Sequence, residues 1–528
     1  MRFVSIHRGA LSNRALAITE HAAYIDCTLR MGKSDMADTR LKPSEREFFA
    51  ALERVVYGNQ FSDKRAQLIQ RLVPGATSAE LVLDQEALRR MVEPRLRPYT
   101  DVSELQRLNA EDHRLVLNAF HYVCYHRHIP QLDDLIAREV AHNETLPADR
   151  AARSVIVELG QCGIDEDAAT RFFAFFYQLR RAFHFIVHSL TGESEPMRQL
   201  RRALWDNVFT HDMAVYRDTL ATRMEDFSTL LLGETGTGKG EAAAAIGRSG
   251  FIPYLRDKRR FAASFSDSFI AINLSQFPES LIESELFGHR KGSFTGAIDH
   301  HAGVFERCNA HGALFLDEIG EASTPVQIKL LRVLQDRTFT PLGSHEVQRF
   351  SGRVIAATNQ PWTELRAKGR FRDDFYYRLC SDVIQVPTLR ERIAARPSEL
   401  EDLVRLLAER IAGERQAELV PIVMEALHRD LPRDYAWPGN VRELEQAVRR
   451  ILLTGRYTSD LGGAAVGGEQ AFSDLAGAGQ LSAKDLLGHY CAMLYRQLGT
   501  YAEVAARTGL DRRTARKYVV DYSTPPRS

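Results

Sequence analysis

The chain has 528 residues, of which 44% are apolar and 26% charged, and Lys plus Arg and Asp plus Glu both number 69. That composition excludes collagen-like, mucin-like and wholly disordered chains, and the length implies about three domains. With net charge zero there is no global field for nucleic acid or membrane, so any polyanion must be met by a local patch.

Six cysteines (Cys27, Cys124, Cys162, Cys308, Cys380 and Cys491) are scattered without a CxxC pair, which argues against a disulfide framework or a zinc ribbon. The first residues lack the apolar stretch of a secretory signal, and the aromatic run at 171–190 is interrupted by Arg180 and Arg181. The expectation is a cytoplasmic, reduced protein without a membrane partner.

In chain order, residues 1–195 read as a mainly helical regulatory domain. Ser44 and Glu47 suggest a capping box ahead of an apolar face made by Phe48, Phe49, Leu52, Val55 and Val56. Phe172, Phe175, Phe176, Leu179, Phe183, Ile186 and Val187 form a second face at helical spacing, which reads as packed core rather than a cofactor box. His121, Cys124, His126 and His128 suggest a metal, but their spacing defines no geometry, and packed or solvated histidines are the preferred reading. The input of this region is not legible.

The next region alternates short apolar runs with helical patterns. STLLLG, SFIAINLS, GALFLDE, GRVIAATN and SDVIQVPTL read as five strands whose continuous hydrophobicity suits a parallel sheet buried on both faces. The expected class is α/β with a doubly wound sheet. Directly after the first strand, Gly233, Glu234, Thr235, Gly236, Thr237, Gly238, Lys239 and Gly240 form a phosphate loop that opens a helix. Its glycines let backbone N–H groups surround phosphate oxygens, and Lys239 supplies charge for the β and γ phosphates. Gly240 stands where the usual Ser or Thr would give a hydroxyl to magnesium. At the tip of the third strand, Asp317 and Glu318 can divide labour, Asp317 toward Mg²⁺ and Glu318 toward the attacking water of ATP hydrolysis.

Together with ESELFGHRKGSFTGA, FRDDFYYRL, LRER and WPGNVRELE, these motifs closely resemble the AAA+ domain of sigma-54-dependent transcriptional activators, the bacterial enhancer-binding proteins. The resemblance covers residues 204–453 and implies an ATPase core at 204–394 and a helical lid at 395–457. It implies roles for residues that match: Asn273 as the switch holding Glu318, and Thr358 and Asn359 as the sensor of the γ-phosphate. Arg372 and Arg378 match arginine fingers inserted into a neighbouring subunit, and Arg442 matches the lid arginine that meets nucleotide. Gly292, Ser293, Phe294, Thr295, Gly296 and Ala297 match the loop that engages sigma-54, with Ser293 in place of the usual alanine. The stretch GRSGFIPYLRDKRRFAASFSDS looks longer than the family pattern.

Residues 458–480, rich in Gly, Ala and Ser, read as a linker. Residues 481–528 then fit a helix-turn-helix: Val504 and Ala505 face inward, Gly509 turns, and Ala515 and Tyr518 anchor the second helix. Arg512, Arg513, Thr514, Arg516 and Lys517 would meet DNA phosphates and base edges. This module is similar to the Fis-type domain that ends many such activators. The expected protein binds upstream DNA, forms a ring (a hexamer, by resemblance) and uses ATP to remodel sigma-54 RNA polymerase. The alternatives are a DNA-bound regulator whose ATPase only controls oligomerisation, and an ATP-driven chaperone or nucleic-acid motor.

Overall fold

Pro43, with its fixed φ, opens the first described helix, α1 (Pro43–Val56); Lys42 is its N-cap, and no side chain caps it. The expected Ser44–Glu47 capping box is therefore not formed, because Ser44 already lies inside the first turn. The expected face is in place, with Phe49, Leu52 and Val55 fully buried. The computed structural model describes residues 40–73, 81–142, 145–360, 364, 369, 371–457 and 482–522. The 458–480 stretch and Cys27 lie outside them. Contacts divide the chain into two units, one of residues up to 191, 197–233 and 239–386, the other of 192–196, 234–238 and 387–528.

Within the first unit, α2 (Ala110–His142), α3 (Asp149–Gln161) and α4 (Glu166–His188) pack side by side. Burial on α4 goes beyond the expected stripe. Phe173, Tyr177 and Arg181, on the other face, are as buried as Phe175 and Ile186. The reason is a second neighbour, the long stretch before the second strand of the sheet. Its hairpin (Tyr254–Leu255 with Arg260–Phe261) stacks Phe261 on Tyr177 at 4.3 Å and sets Tyr254 edge-on to Phe173 at 5.1 Å.

Buried polar groups fix this packing. Arg181 donates to the carbonyls of Arg248 (2.9 Å) and Gly250 (2.7 Å), and Gln178 donates to that of Ser249 (2.9 Å). Glu139 of α2 accepts from Tyr177 Oη at 2.8 Å and from the Phe265 amide at 3.0 Å. One apolar core runs from these helices into the sheet.

The sheet has five strands: β1 (Thr229–Leu232), β2 (Phe269–Asn273), β3 (Ala313–Asp317), β4 (Arg353–Thr358) and β5 (Asp382–Gln385). All pairs are parallel, in the order β2-β3-β4-β1-β5. Each strand falls inside one of the five apolar runs of the sequence. Helix α5 (Lys239–Gly247) follows the phosphate loop, and its alanines 242–245 are all buried, so it lies close to the sheet.

In the second unit, helices Glu399–Ala412, Gln416–Asp430 and α6 (Asn440–Thr454) enclose a core containing Val404, Leu407, Val423, Leu444 and Val448. Farther along, α7 (Ala483–Leu498), α8 (Tyr501–Thr508) and α9 (Arg512–Asp521) share a small core of Cys491, Leu494, Val504, Ala505, Ala515 and Val519. Val519 takes the buried position expected of Tyr518, which is only half-buried. No helix among the described residues is long and apolar enough to cross a membrane.

Arg181→Ala should strip two buried carbonyls of their donor and destabilise this packing by about 3 kcal/mol. Amide exchange in residues 248–265 is the readout; it should speed up there and stay unchanged in α9.

Candidate nucleotide site

Parallel strands end together, so the side chains at their carboxyl ends meet along one edge of the sheet. Asn273 pairs in register with Asp317, and Leu232 with Thr358. The Asn273 amide accordingly donates to Asp317 Oδ2, at 3.4 Å, and accepts from the Ser275 amide and hydroxyl. Glu318 receives the backbone N–H of Asn359 at 3.4 Å. Asn273, expected beside Glu318, thus sits on its neighbour Asp317 in this arrangement. Thr358 is buried, and its hydroxyl accepts from the Gln360 amide.

Glu318 adopts the left-handed conformation, φ +53° and ψ +48°. For a residue other than glycine this costs of order 1–3 kcal/mol. Burial raises its pKa; the positive charge of Lys239 opposes that, and the Asp317 carboxylate adds to it. Lys239 is buried, and its Nζ donates to the Gly233 carbonyl at 2.8 Å.

Gly236 and Gly238 hold φ of +80° and +101°, a region closed to most side chains. Gly240 differs from them: its φ is not positive, and a Cβ there would meet nothing within 4 Å. The missing Ser or Thr is therefore not dictated by packing.

In the second unit, the loop residues 234–238 are bound by the helical lid. Asn440, fully buried at φ +52°, donates from Nδ2 to Glu234 Oε2 and to the Thr235 carbonyl, both at 3.1 Å. Its Oδ1 accepts the Leu389 amide at 2.8 Å. The Val441 amide donates to the Gly236 carbonyl at 3.0 Å, and Arg390 makes a two-pronged pair with Glu234 at 2.8 and 2.5 Å. A Cβ on Gly236 would run into the Gly439 carbonyl. Arg442 is exposed beside this junction.

Sequence reasoning missed Asn440 and Arg390, although both lie inside quoted motifs, GNVRELE and LRER. The signal was the Gly439–Asn440 pair: a polar residue after a glycine at a helix start suits the left-handed position.

The remaining expected residues sit apart from this edge. Arg372 and Arg378 flank and occupy one short helix, Asp373–Leu379. Arg372 is exposed and pairs with Asp374 at 2.7 Å; Arg378 is half-buried and donates to the Leu334 carbonyl at 3.0 Å. In the GSFTGA loop, Gly292 and Gly296 have φ of +81° and +105°, and the Gly292 amide donates to the Ala297 carbonyl at 2.8 Å. Ala297 is buried, whereas Thr295 and Phe294 are exposed, with Phe294 edge-on to His289 at 4.9 Å. Ser293 Oγ is buried without a hydrogen-bond partner among the described residues. On α9, Asp511 caps the helix through the Arg513 and Thr514 amides, and Arg516 lies 5.8 Å from the Tyr501 ring. Arg512, Arg513 and Lys517 are exposed.

A parallel sheet of this order, a phosphate loop opening a helix, an acidic pair at a strand tip and a helical lid define an AAA+ ATPase module. Residues 210–385 match the family described as Sigma-54 interaction domain, and residues 394–459 match the AAA+ ATPase lid domain. The Regulatory protein AtoC of Escherichia coli (strain K12) is 35% identical over 272 residues, 50% of this chain and 55% of its own. The Nif-specific regulatory protein of Azotobacter vinelandii is 41% identical over 226 residues, 43% of this chain and 40% of its own. The Sigma54-dependent transcriptional activator SfnR of Pseudomonas putida is 40% identical over 227 residues, 43% of this chain and 57% of its own. The chain thus spans about half the length of the curated relatives it matches. Residues 210–385 thus carry a sigma-54 interaction domain, and an AAA+ lid follows at 394–459.

Replacing Glu318 by Gln should leave ATP affinity intact and slow phosphate release by a factor of about 10² or more, the usual worth of a positioned base. Lys239→Ala should weaken both. Because the Glu318 carboxylate must be ionised to act and its pKa is raised, turnover of the unmodified protein should fall on the acid side at a pH above the ordinary glutamate range. Filter binding and a phosphate-release assay across pH check all three.

Proposed function

We propose that this chain is an ATP-hydrolysing transcription activator that binds upstream DNA and remodels sigma-54 RNA polymerase from closed to open complex. The observation that carries this reading is the GSFTGA tip. Phe294 and Thr295 are exposed between two left-handed glycines that lack neighbours at their Cβ positions. An exposed aromatic on such a hinge suits a partner surface better than packing.

Within the module, the loop amides and Lys239 would hold the phosphates of ATP, and Asp317 would hold Mg²⁺. Glu318 orients water and accepts its proton, while Thr358 and Asn359 report on the γ-phosphate. Bound ATP supplies the phosphoanhydride whose cleavage drives remodelling. Arg372 and Arg378 act on a neighbouring subunit's site in a homo-oligomeric ring, which we take to be a hexamer. Arg442 meets nucleotide from the lid. Residues 1–195 regulate the ATPase, 395–457 form the lid, and 481–528 read DNA. The cytoplasm is the compartment this activity requires.

Thr295→Ala should leave ATP binding intact but lower open-complex formation at a cognate promoter by about tenfold or more, equivalent to at least about 1.4 kcal/mol. Ser293→Ala removes a buried hydroxyl that has no partner among the described residues and should preserve or raise activity. The assay is promoter opening with purified sigma-54 polymerase. Normal hydrolysis without sigma-54 binding or opening by the unmodified protein would instead favour the oligomerising DNA regulator.

Neutralising Arg512, Arg513, Arg516 and Lys517 should weaken DNA binding and lower the log–log salt slope by roughly 0.9 for each phosphate that is no longer neutralised. Titrations of enhancer-length DNA at several salt concentrations measure it. An unchanged slope would move the DNA surface elsewhere.

A further inference from the structure

The four side chains His121, Cys124, His126 and His128 of the stretch HYVCYHRH divide between two faces of α2. His126 donates or accepts at both ring nitrogens within its own side, Nδ1 with the Tyr122 carbonyl (2.8 Å) and Nε2 with Gln85 (2.7 Å). His121 stacks on Phe172 with ring centroids 3.8 Å apart. Burial drives both imidazoles down to a pKa of about 3, so neither carries charge near neutrality.

Cys124 and His128 do something else. One turn apart on α2, both are buried, and they face Glu158 of α3. The thiol sulfur, an imidazole nitrogen and a Glu158 oxygen all lie within 4.8 Å of one another. His128 Nε2 is 2.8 Å from Glu158 Oε2, and His128 Nδ1 is 3.3 Å from Gln131 Oε1. Glu158 Oε1 is taken by Arg127 at 2.6 Å, which orients the carboxylate and leaves Oε2 to the cluster. Cys162 follows one turn beyond Glu158, just past the end of α3, and its thiol donates to the Glu158 carbonyl at 3.7 Å. Cys124 and His128 on α2 thus face Glu158 on α3, with Cys162 just beyond the end of that helix.

We propose that Cys124, His128 and Glu158 bind a single divalent cation of the Zn²⁺ class, with Cys162 as the fourth ligand. The donor set decides the metal. One or two thiolates with an imidazole and a carboxylate suit Zn²⁺ in a closed tetrahedral site and do not suit Mg²⁺ or Ca²⁺, which take oxygen ligands. The Gln131 and Arg127 contacts act as outer partners that fix ring and carboxylate. Binding forms sulfur–metal bonds and releases each thiol proton to solvent, so no oxidant or reductant is needed. The charges around the site balance accordingly: Arg127 offsets Glu158 in the metal-free protein, and the cation replaces the thiol protons in the loaded one.

The test uses the full chain, purified, stripped with a chelator and titrated with Zn²⁺ alone and with Co²⁺ alone. About one zinc should bind per chain, as a structural site requires. Co²⁺ should give a thiolate charge-transfer band together with the visible bands of tetrahedral coordination. Cys124→Ser and His128→Ala should each weaken Zn²⁺ binding at least about tenfold, while His126→Ala, on the other face, should leave it unchanged. Cys162→Ser should reduce the charge-transfer intensity; an unchanged intensity would remove that thiol from the ligand set. The proposal is overturned if the unmodified protein takes up no zinc, or shows no thiolate band with Co²⁺, results that do not depend on any variant folding. It is equally overturned if Cys124→Ser keeps full stoichiometry and affinity.

Discussion

Parallel pairing in register is the constraint on which the nucleotide edge rests. Because β2, β3, β4 and β1 finish level with one another, Asn273, Asp317, Thr358 and the start of the phosphate loop emerge on one line. None of these residues is near another in sequence. The chain leaving β3 must also turn at once, and Glu318 makes that turn in the left-handed region. Glycine would adopt the conformation at no steric cost but would carry no carboxylate. The strain is held because the residues before it are locked in the sheet and those after it begin the next helical turn.

Charged pairs in this chain come in two strengths. Arg392 and Glu399 form a buried pair at 2.6 Å in the second unit, and removing either partner would leave a buried charge without this counter-ion. Arg372 pairs with Asp374 at the surface, where an ion pair is worth about 0–1 kcal/mol. The surface pair is therefore cheap to exchange for another anion. The buried pair is not exchangeable, and it belongs to the framework.

How much of this was legible follows from how local each feature is. The five strands, the phosphate loop and the acidic pair lie in contiguous segments whose hydrophobicity or glycine pattern speaks for itself. Asn440 and Arg390 were hidden because their partners, Glu234 and Thr235, lie more than 150 residues away. The capping box at Ser44 failed because Pro43 starts the helix two residues earlier than the side-chain pattern suggests. The histidine cluster could not be divided from sequence alone, since residue spacing on a long helix does not reveal which neighbour each face meets.

Helix α4 shows the same limit most clearly. Its periodicity gives one apolar stripe, yet the helix is buried on a second face by the stretch that precedes β2. That stretch runs straight into β2 and thence to Asn273. Ser268, at its end, accepts the Ala313 amide at 2.6 Å, so it also starts the β2–β3 pairing. Arg181, Gln178 and Glu139 bind its backbone at points before and after the hairpin, through hydrogen bonds that are either made or broken. Close-packed interfaces of this kind do not slide by small amounts. Helix α4 and the strand that ends at Asn273 are therefore joined through one short stretch of backbone, held by buried hydrogen bonds at both of its ends.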